Sequence, residues 1–140
     1  MITLEQAQKM IETALAQGAE DGLKPLSAIV LDAGGHPLAF ARADGAAPGR
    51  FDIAQAKAYG AVMLGMGGKA QMARAEAQAY FMAALNGIYD GKTCPVPGGV
   101  LIRDESGAVI GAMGVTGDTS DNDAKVAVAG IEAAGFTAED

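Results

Sequence analysis

Apolar and polar positions alternate along this chain in blocks, and the helical blocks at 3–20, 51–64 and 121–134 stop at Gly22, Gly65 and Gly135. From Thr3 to Glu20 the apolar residues Leu4, Ala7, Ile11, Ala14 and Leu15 recur at helical spacing. Thr3 and Gln6 stand three residues apart, the spacing of a capping box, and Gly22 followed by Pro25 ends the helix. Leu26–Leu31 and Pro37–Arg42 read as two strands joined by the tight turn Asp32-Ala-Gly-Gly35. Ala43–Arg50 is a small-residue loop. Phe51–Leu64 and Ala70–Leu85 predict two more helices, separated by Gly65-Met-Gly-Gly68. The segment 86–97 reads as irregular, with Gly87, Gly91, Pro95 and Pro97. Gly98–Arg103 and Ala108–Val115 form a second predicted hairpin across Asp104-Glu-Ser-Gly107, and Asp121–Ala134 a last helix stopped by Gly135.

The predicted order is therefore α-β-β-α-α-β-β-α. Hairpin-joined strands imply an antiparallel sheet of about four to five strands, flanked by helices, in one α+β domain over residues 1–140. The two hairpins align without gaps, Asp32 with Asp104 and Gly35 with Gly107. The simpler account is shared turn chemistry: Asp opens the turn and Gly supplies positive φ near its end.

Gly114–Asp123 connects the last long strand to the last helix through small residues. Ser120, three residues before Asp123, is the expected cap of that helix. In the helix, Asp121, Lys125 and Glu132 occupy one narrow stripe, and Ala124, Val126, Ala127, Val128, Ala129 and Ile131 cover most of the remainder. Such a helix needs burial on more than one side, which predicts a homo-oligomer with a neighbouring subunit as the second side.

Composition narrows the function. Half of the residues are hydrophobic but only 5% are aromatic, so the core relies on Ala, Val, Ile, Leu and Met. A net charge of −7 disfavours nucleic acid and anionic membranes as partners. No apolar run approaches a membrane span, and the N-terminal residues lack the order of a signal peptide. With a single cysteine, Cys94, a cytoplasmic setting is expected.

One His and one Cys cannot build a Cys/His zinc site. Asp118, Asp121 and Asp123 suggest calcium, but the spacing lacks the Gly and closing Glu of an EF-hand; turn and helix-start chemistry accounts for them better. Cys94, between Thr93 and Pro95, reads as a small apolar residue. His36 follows the first hairpin turn and reads either as a polar turn residue or as an axial ligand to haem iron. Arg42, Asp44, Lys57 and Arg103 could converge on a cationic pocket for a carboxylate, or be scattered surface charge. The loops at Gly98, Gly99 and Gly114–Thr119, with Thr116, could offer backbone donors to an oxyanion.

Four motifs occur in order: Val30–Asp44, Ile53–Tyr59, Pro97–Arg103 and Gly111–Asp123. Together they resemble the GlcG/HbpS-like family, often labelled haem-binding or haem-degrading, with the PduO-type C-terminal domain as a relative. The resemblance implies a compact α+β domain and homo-oligomers, often dimers assembled into larger rings or octamers. It implies haem binding or degradation in some members. The chain departs from that picture in having no second His, and Phe40, Phe51, Tyr59, Tyr80, Phe81, Tyr89 and Phe136 are all its aromatics. Met63, Met66, Met72, Met82 and Met113 could supply apolar wall or a thioether ligand.

Three readings follow. In the first, a small-molecule-binding oligomer takes haem on His36, with Arg42, Lys57 or Arg103 meeting the propionates. In the second, a cofactor-free enzyme uses Arg42 and Arg103 to anchor a carboxylated metabolite while Lys57 and Asp44 transfer protons. In the third, the protein is an accessory subunit with no chemistry of its own.

Overall fold

The computed structural model describes residues 1–140 and has five helices and five strands. Helix α1 spans Leu4–Glu20, strands β1 and β2 span Ser27–Asp32 and Pro37–Arg42, and helix α2 spans Arg50–Leu64. Helices α3 (Gly68–Ala77) and α4 (Ala79–Ile88) follow, then β3 (Gly99–Arg103), β4 (Val109–Thr116), α5 (Ser120–Ala133) and β5 (Thr137–Glu139). The strands form one antiparallel sheet in the order β2-β1-β4-β3-β5. The α+β class and the expected element order hold. No helix is long and apolar enough to cross a membrane.

The alternation of each strand sorts the core into two layers. Ala28, Val30, Val100, Ile102, Met113 and Val115 face α1 and α5, whose Ala7, Met10, Ile11, Val126, Ala127 and Ile131 complete that layer. Ile29, Leu31, Leu101 and Ala112 face α2, which meets them with Ala54, Ala58 and Ala61. Side chains this small bring α2 close to the sheet. Gly99 and Gly114, directly paired in β3 and β4, make the approach tighter still. A Cβ on Gly114 would collide with the Ala54 carbonyl, and one on Gly99 with the Lys57 carbonyl.

Several local expectations need correction. The predicted helix over 70–85 is two helices, broken at Gln78 with φ −142 and ψ 65. Neither Gln78 nor its alanine neighbours disfavours a helix, so propensity carries no signal for the break. Helix α4 runs on to Ile88, into the stretch read as irregular. The cap of α5 is Thr119, not Ser120: its hydroxyl accepts from the Asn122 N–H. Strand β5 was not anticipated, because three residues are too few to show alternation; its pairing with β3 defines it. Helix α1 and the sheet cover most of the apolar surface of α5 within the chain, and Val128 and Ala129 stay half-buried.

The two hairpin turns are built alike. Asp32 Oδ1 accepts from the N–H groups of Gly34 and His36, and Asp104 Oδ1 accepts from those of Ser106 and Ala108. In both turns the Asp N–H donates to the carbonyl four residues on, and a glycine with positive φ closes the loop. These bonds hold both carboxyls below the usual range, Asp32 chiefly through the His36 N–H and Asp104 chiefly through the Ser106 hydroxyl.

A third aspartate fastens α5 to the α1–β1 connection. Asp118 accepts from the Lys24 N–H at 2.9 Å, the Thr119 N–H at 2.8 Å and the Asn122 side-chain amide at 2.8 Å. The Asn122 amide, followed by the Lys24 N–H, holds its carboxyl down from 3.8 to about 2. A depressed carboxyl stabilises the fold above its unfolded pKa and loses that contribution as pH falls through the folded value. Urea midpoints of the wild type should therefore drop as pH falls from 3.8 to about 2. Asp118→Asn should begin lower near neutrality and show a smaller drop over that window.

Candidate functional site

Helix α2 joins the two ends of the sheet, and the candidate residues divide between them. Its first turn lies over the end where β1 begins and β4 finishes, since Arg50 Nη1 donates to Thr116 Oγ1 at 2.7 Å. Its last turns lie near the β1–β2 turn, where a Cβ on Gly35 would meet the Tyr59 ring and the Met63 methyl. Arg42, Thr116, Gly98, Gly99 and Lys57 belong to the first end, and His36 and Arg103 to the second. The expected convergence of Arg42, Lys57 and Arg103 on one pocket is thus not what the fold provides.

Lys57 points from α2 past the end of β4. Its Nζ donates to the Val115 carbonyl and to Asp123 Oδ2, each at 3.1 Å, and the Lys57 and Asp123 side chains are only 3% and 2% exposed. Asp123 Oδ1 accepts from the Asp118 N–H at 3.0 Å. A Cβ on Gly98, whose φ is +118, would press on Lys57 Nζ and the Val115 carbonyl, so the glycine leaves room for the ammonium. Asp44 is exposed on the loop after β2, on the rim of a cavity shared with Lys24 and Pro25, and makes no bond to Lys57. The geometry supplies Lys57 with a structural partner and does not supply the Lys57–Asp44 proton relay. Nothing in the sequence marks Asp123 as that partner, because 66 residues separate them.

Arg103 is also committed. Its Nε donates to Glu139 Oε2 at 2.5 Å and its Nη1 to the Gly107 carbonyl at 2.8 Å, an arrangement that closes β5 onto β3. The Glu139 carboxylate raises the guanidinium's already high pKa further. Cys94 is half-buried, and burial pushes its thiol up, opposed by the Lys57 charge; such a thiol is a poor nucleophile. No group of three or more His, Cys, Asp or Glu side chains is placed to hold a metal ion; Asp118 instead holds the turn before α5, and Asp123 pairs with Lys57.

The second end is aromatic. Tyr59 meets Tyr89 edge-on at a centroid distance of 6.0 Å, and Lys92 Nζ lies 5.0 Å from the centre of the Tyr59 ring. His36 follows Gly35, where a Cβ would run into Tyr59 and Met63, and its own ring lies over Gly34. Its ring is 80% exposed, with Nδ1 3.3 Å from Asp32 Oδ1. The carboxylate lies on the Nδ1 side and leaves Nε2 open, the side from which an imidazole backed by a carboxylate can reach a metal. Tyr89 is one of the few aromatics the sequence offers, whereas Lys92 is not marked by the sequence, since it falls in the stretch read as irregular.

Lys57 is testable without knowing any ligand. Lys57→Ala leaves Asp123 buried and unpaired, which should cost about 3–5 kcal/mol, read as a fall in the urea midpoint. Lys57→Met combined with Asp123→Asn should recover part of that loss, because no uncompensated charge remains. Unchanged stability of the single variant would rule out a structural ion pair.

Comparisons with known proteins agree with this architecture. A family model described as haem degrading protein HbpS-like matches residues 2–132. A double mutant of HbpS from Streptomyces reticuli is 33% identical, with 93% of this chain and 84% of that one aligned at a TM-score of 0.81. The protein ORFY of Klebsiella pneumoniae is 27% identical over 95% of this chain and 90% of that one, at 0.83. A PduOC complex with haem is 20% identical and shares the fold, at a TM-score of 0.85 over 97% and 96% of the two chains. A search of curated proteins gives no significant match. The motifs, the topology and the family match along nearly the whole chain together place this protein in the HbpS-like family.

Proposed function

We propose that this protein is a self-associating haem-binding protein that takes the porphyrin at the aromatic end of α2. The observation carrying this reading is the exposed His36 imidazole beside Asp32, on the turn whose Gly35 backbone packs against Tyr59 and Met63, with Tyr89 edge-on to Tyr59. Haem fits that donor set. His36 Nε2 would face the iron, the two tyrosine rings and the methionine would lie against the macrocycle, and Lys92 would meet a propionate. When bound, haem supplies a redox-active iron; the chain's part is to orient the imidazole and exclude water. Family membership and the haem complex of the PduOC neighbour support the choice of ligand.

Haemin titration tests it. The wild type should give a saturable Soret band, and His36→Ala should shift that band and weaken binding by about tenfold or more. An unchanged spectrum and affinity in His36→Ala would remove His36 as the ligand.

Self-association rests on α4. Tyr80, Ala84 and Ile88 recur every four residues on one exposed face, with Tyr80 at 74% and Ile88 at 67% exposure. Within the chain α4 packs chiefly on α3, with Met82 and Leu85 turned inward. An apolar helix left in water on one side is what a second copy would cover. Tyr80→Glu with Ile88→Glu should reduce the mass seen by native mass spectrometry to a smaller assembly while the circular dichroism spectrum stays that of the wild type.

A further inference from the structure

The opposite end of α2 has a different chemistry. Ser27 is directly paired with Arg42 on β2 and with Thr116 on β4. Residues opposite one another in antiparallel strands share a face, so Arg42, Ser27 and Thr116 stand in a row on the α2 side of the sheet. Adjacent strands are about 4.8 Å apart, which puts Ser27 within the reach of the Arg42 side chain on one side and beside Thr116 on the other. Above the row begins α2. Its cap residue is Gly49, so no side chain accepts from the first-turn N–H groups. Arg50 opens the helix and its guanidinium reaches down to the Thr116 hydroxyl.

Neither Arg42 nor Arg50 has an acidic partner; the three ion pairs of the chain involve His36, Lys57 and Arg103. The carboxylates nearest in sequence, Asp44 and Asp52, are exposed and bond to neither. A second and independent sign comes from Ser27. It is fully buried, yet its hydroxyl has no hydrogen-bond partner. Buried hydroxyls are seldom left so, because water is given up and nothing replaces it. Here the orphaned donor lies in the row, between the residue that anchors Arg50 and the free Arg42.

We propose that this end of the sheet is an oxyanion subsite, distinct from the His36 region, which binds the carboxylate or phosphate group of a small metabolite. Arg42 provides an exposed fork, Arg50 a second guanidinium held in place by Thr116, and the α2 N-terminus its partial positive charge. Ser27 provides a hydroxyl donor at the base. Helix α2 is 15 residues long, so about 22 Å separates the two ends, and the site stands or falls independently of haem binding.

Calorimetric titration of the haem-free protein with sodium oxalate and with sodium phosphate, at ionic strength matched with sodium chloride, tests the assignment. Saturable heat with oxalate alone assigns a carboxylate, and with phosphate alone a phosphate. Saturation with both assigns a general oxyanion site. No saturable heat with either overturns the proposal. Arg42 is exposed, so Arg42→Ala should fold normally and weaken the active probe about tenfold. Ser27→Ala should weaken it too, with thermal stability kept or raised, since the variant removes an unsatisfied buried group. Wild-type affinity in Arg42→Ala, or in Ser27→Ala, would overturn the site as drawn.

Discussion

The contact on which the rest depends is the buried bond from Lys57 to Asp123. Lys57 belongs to the layer on one face of the sheet and Asp123 to the layer on the other. Their ion pair passes around the end of β4 and joins the two layers at a point where no strand lies between them. Two conditions allow it. Gly98, Gly99 and Gly114 have no Cβ, so α2 settles onto β3 and β4 closely enough for the ammonium to reach the Val115 carbonyl. Asp118 donates its N–H to the same carboxylate and so fixes the start of α5. Removing the charge on either side would leave an ion without water or partner, which explains why such a pair behaves as part of the fold rather than as reactive groups.

How much of this was readable in advance follows from the range of each interaction. Thr3 with Gln6, Gly22, Gly65 and the two aspartate turns act over four residues or fewer, and the structure has them where the local chemistry puts them. The sheet's composition and the helix order follow from periodicity, which is also local. Partners across the fold were hidden. Arg103 looked free for a ligand because Glu139, 36 residues on, lies on a strand of three residues. Helix α5 looked in need of a neighbour because its pattern shows how much surface must be covered, and says nothing of α1 as the cover. The exposed apolar helix, α4, was masked by being merged with the more polar α3 into a single predicted helix.

The candidate chemistry follows the same logic. Residue types alone gathered Arg42, Lys57 and Arg103 into one set, but register separates them: Arg42 faces Ser27, while Arg103 pairs with Val109 and Thr137 at the far end. What replaces the single pocket is a helix with unlike surroundings at its two termini. Guanidinium and hydroxyl groups collect at the N-terminus, where the helix dipole favours anions. Aromatic rings and the lone imidazole collect at the C-terminus.

The matched hairpin turns carry one more consequence. Superposed by their hydrogen bonds, Asp32 falls on Asp104, Gly35 on Gly107, and His36 on Ala108. The protein therefore contains, on its own sheet, a copy of the His36 turn in which the imidazole has already been replaced by a methyl group. That copy closes with the same aspartate bonds, so the imidazole is dispensable to the loop that displays it. In engineering terms the position is a socket: the backbone comes from the aspartate and glycine, and the side chain presented there can be exchanged for another at little cost to folding.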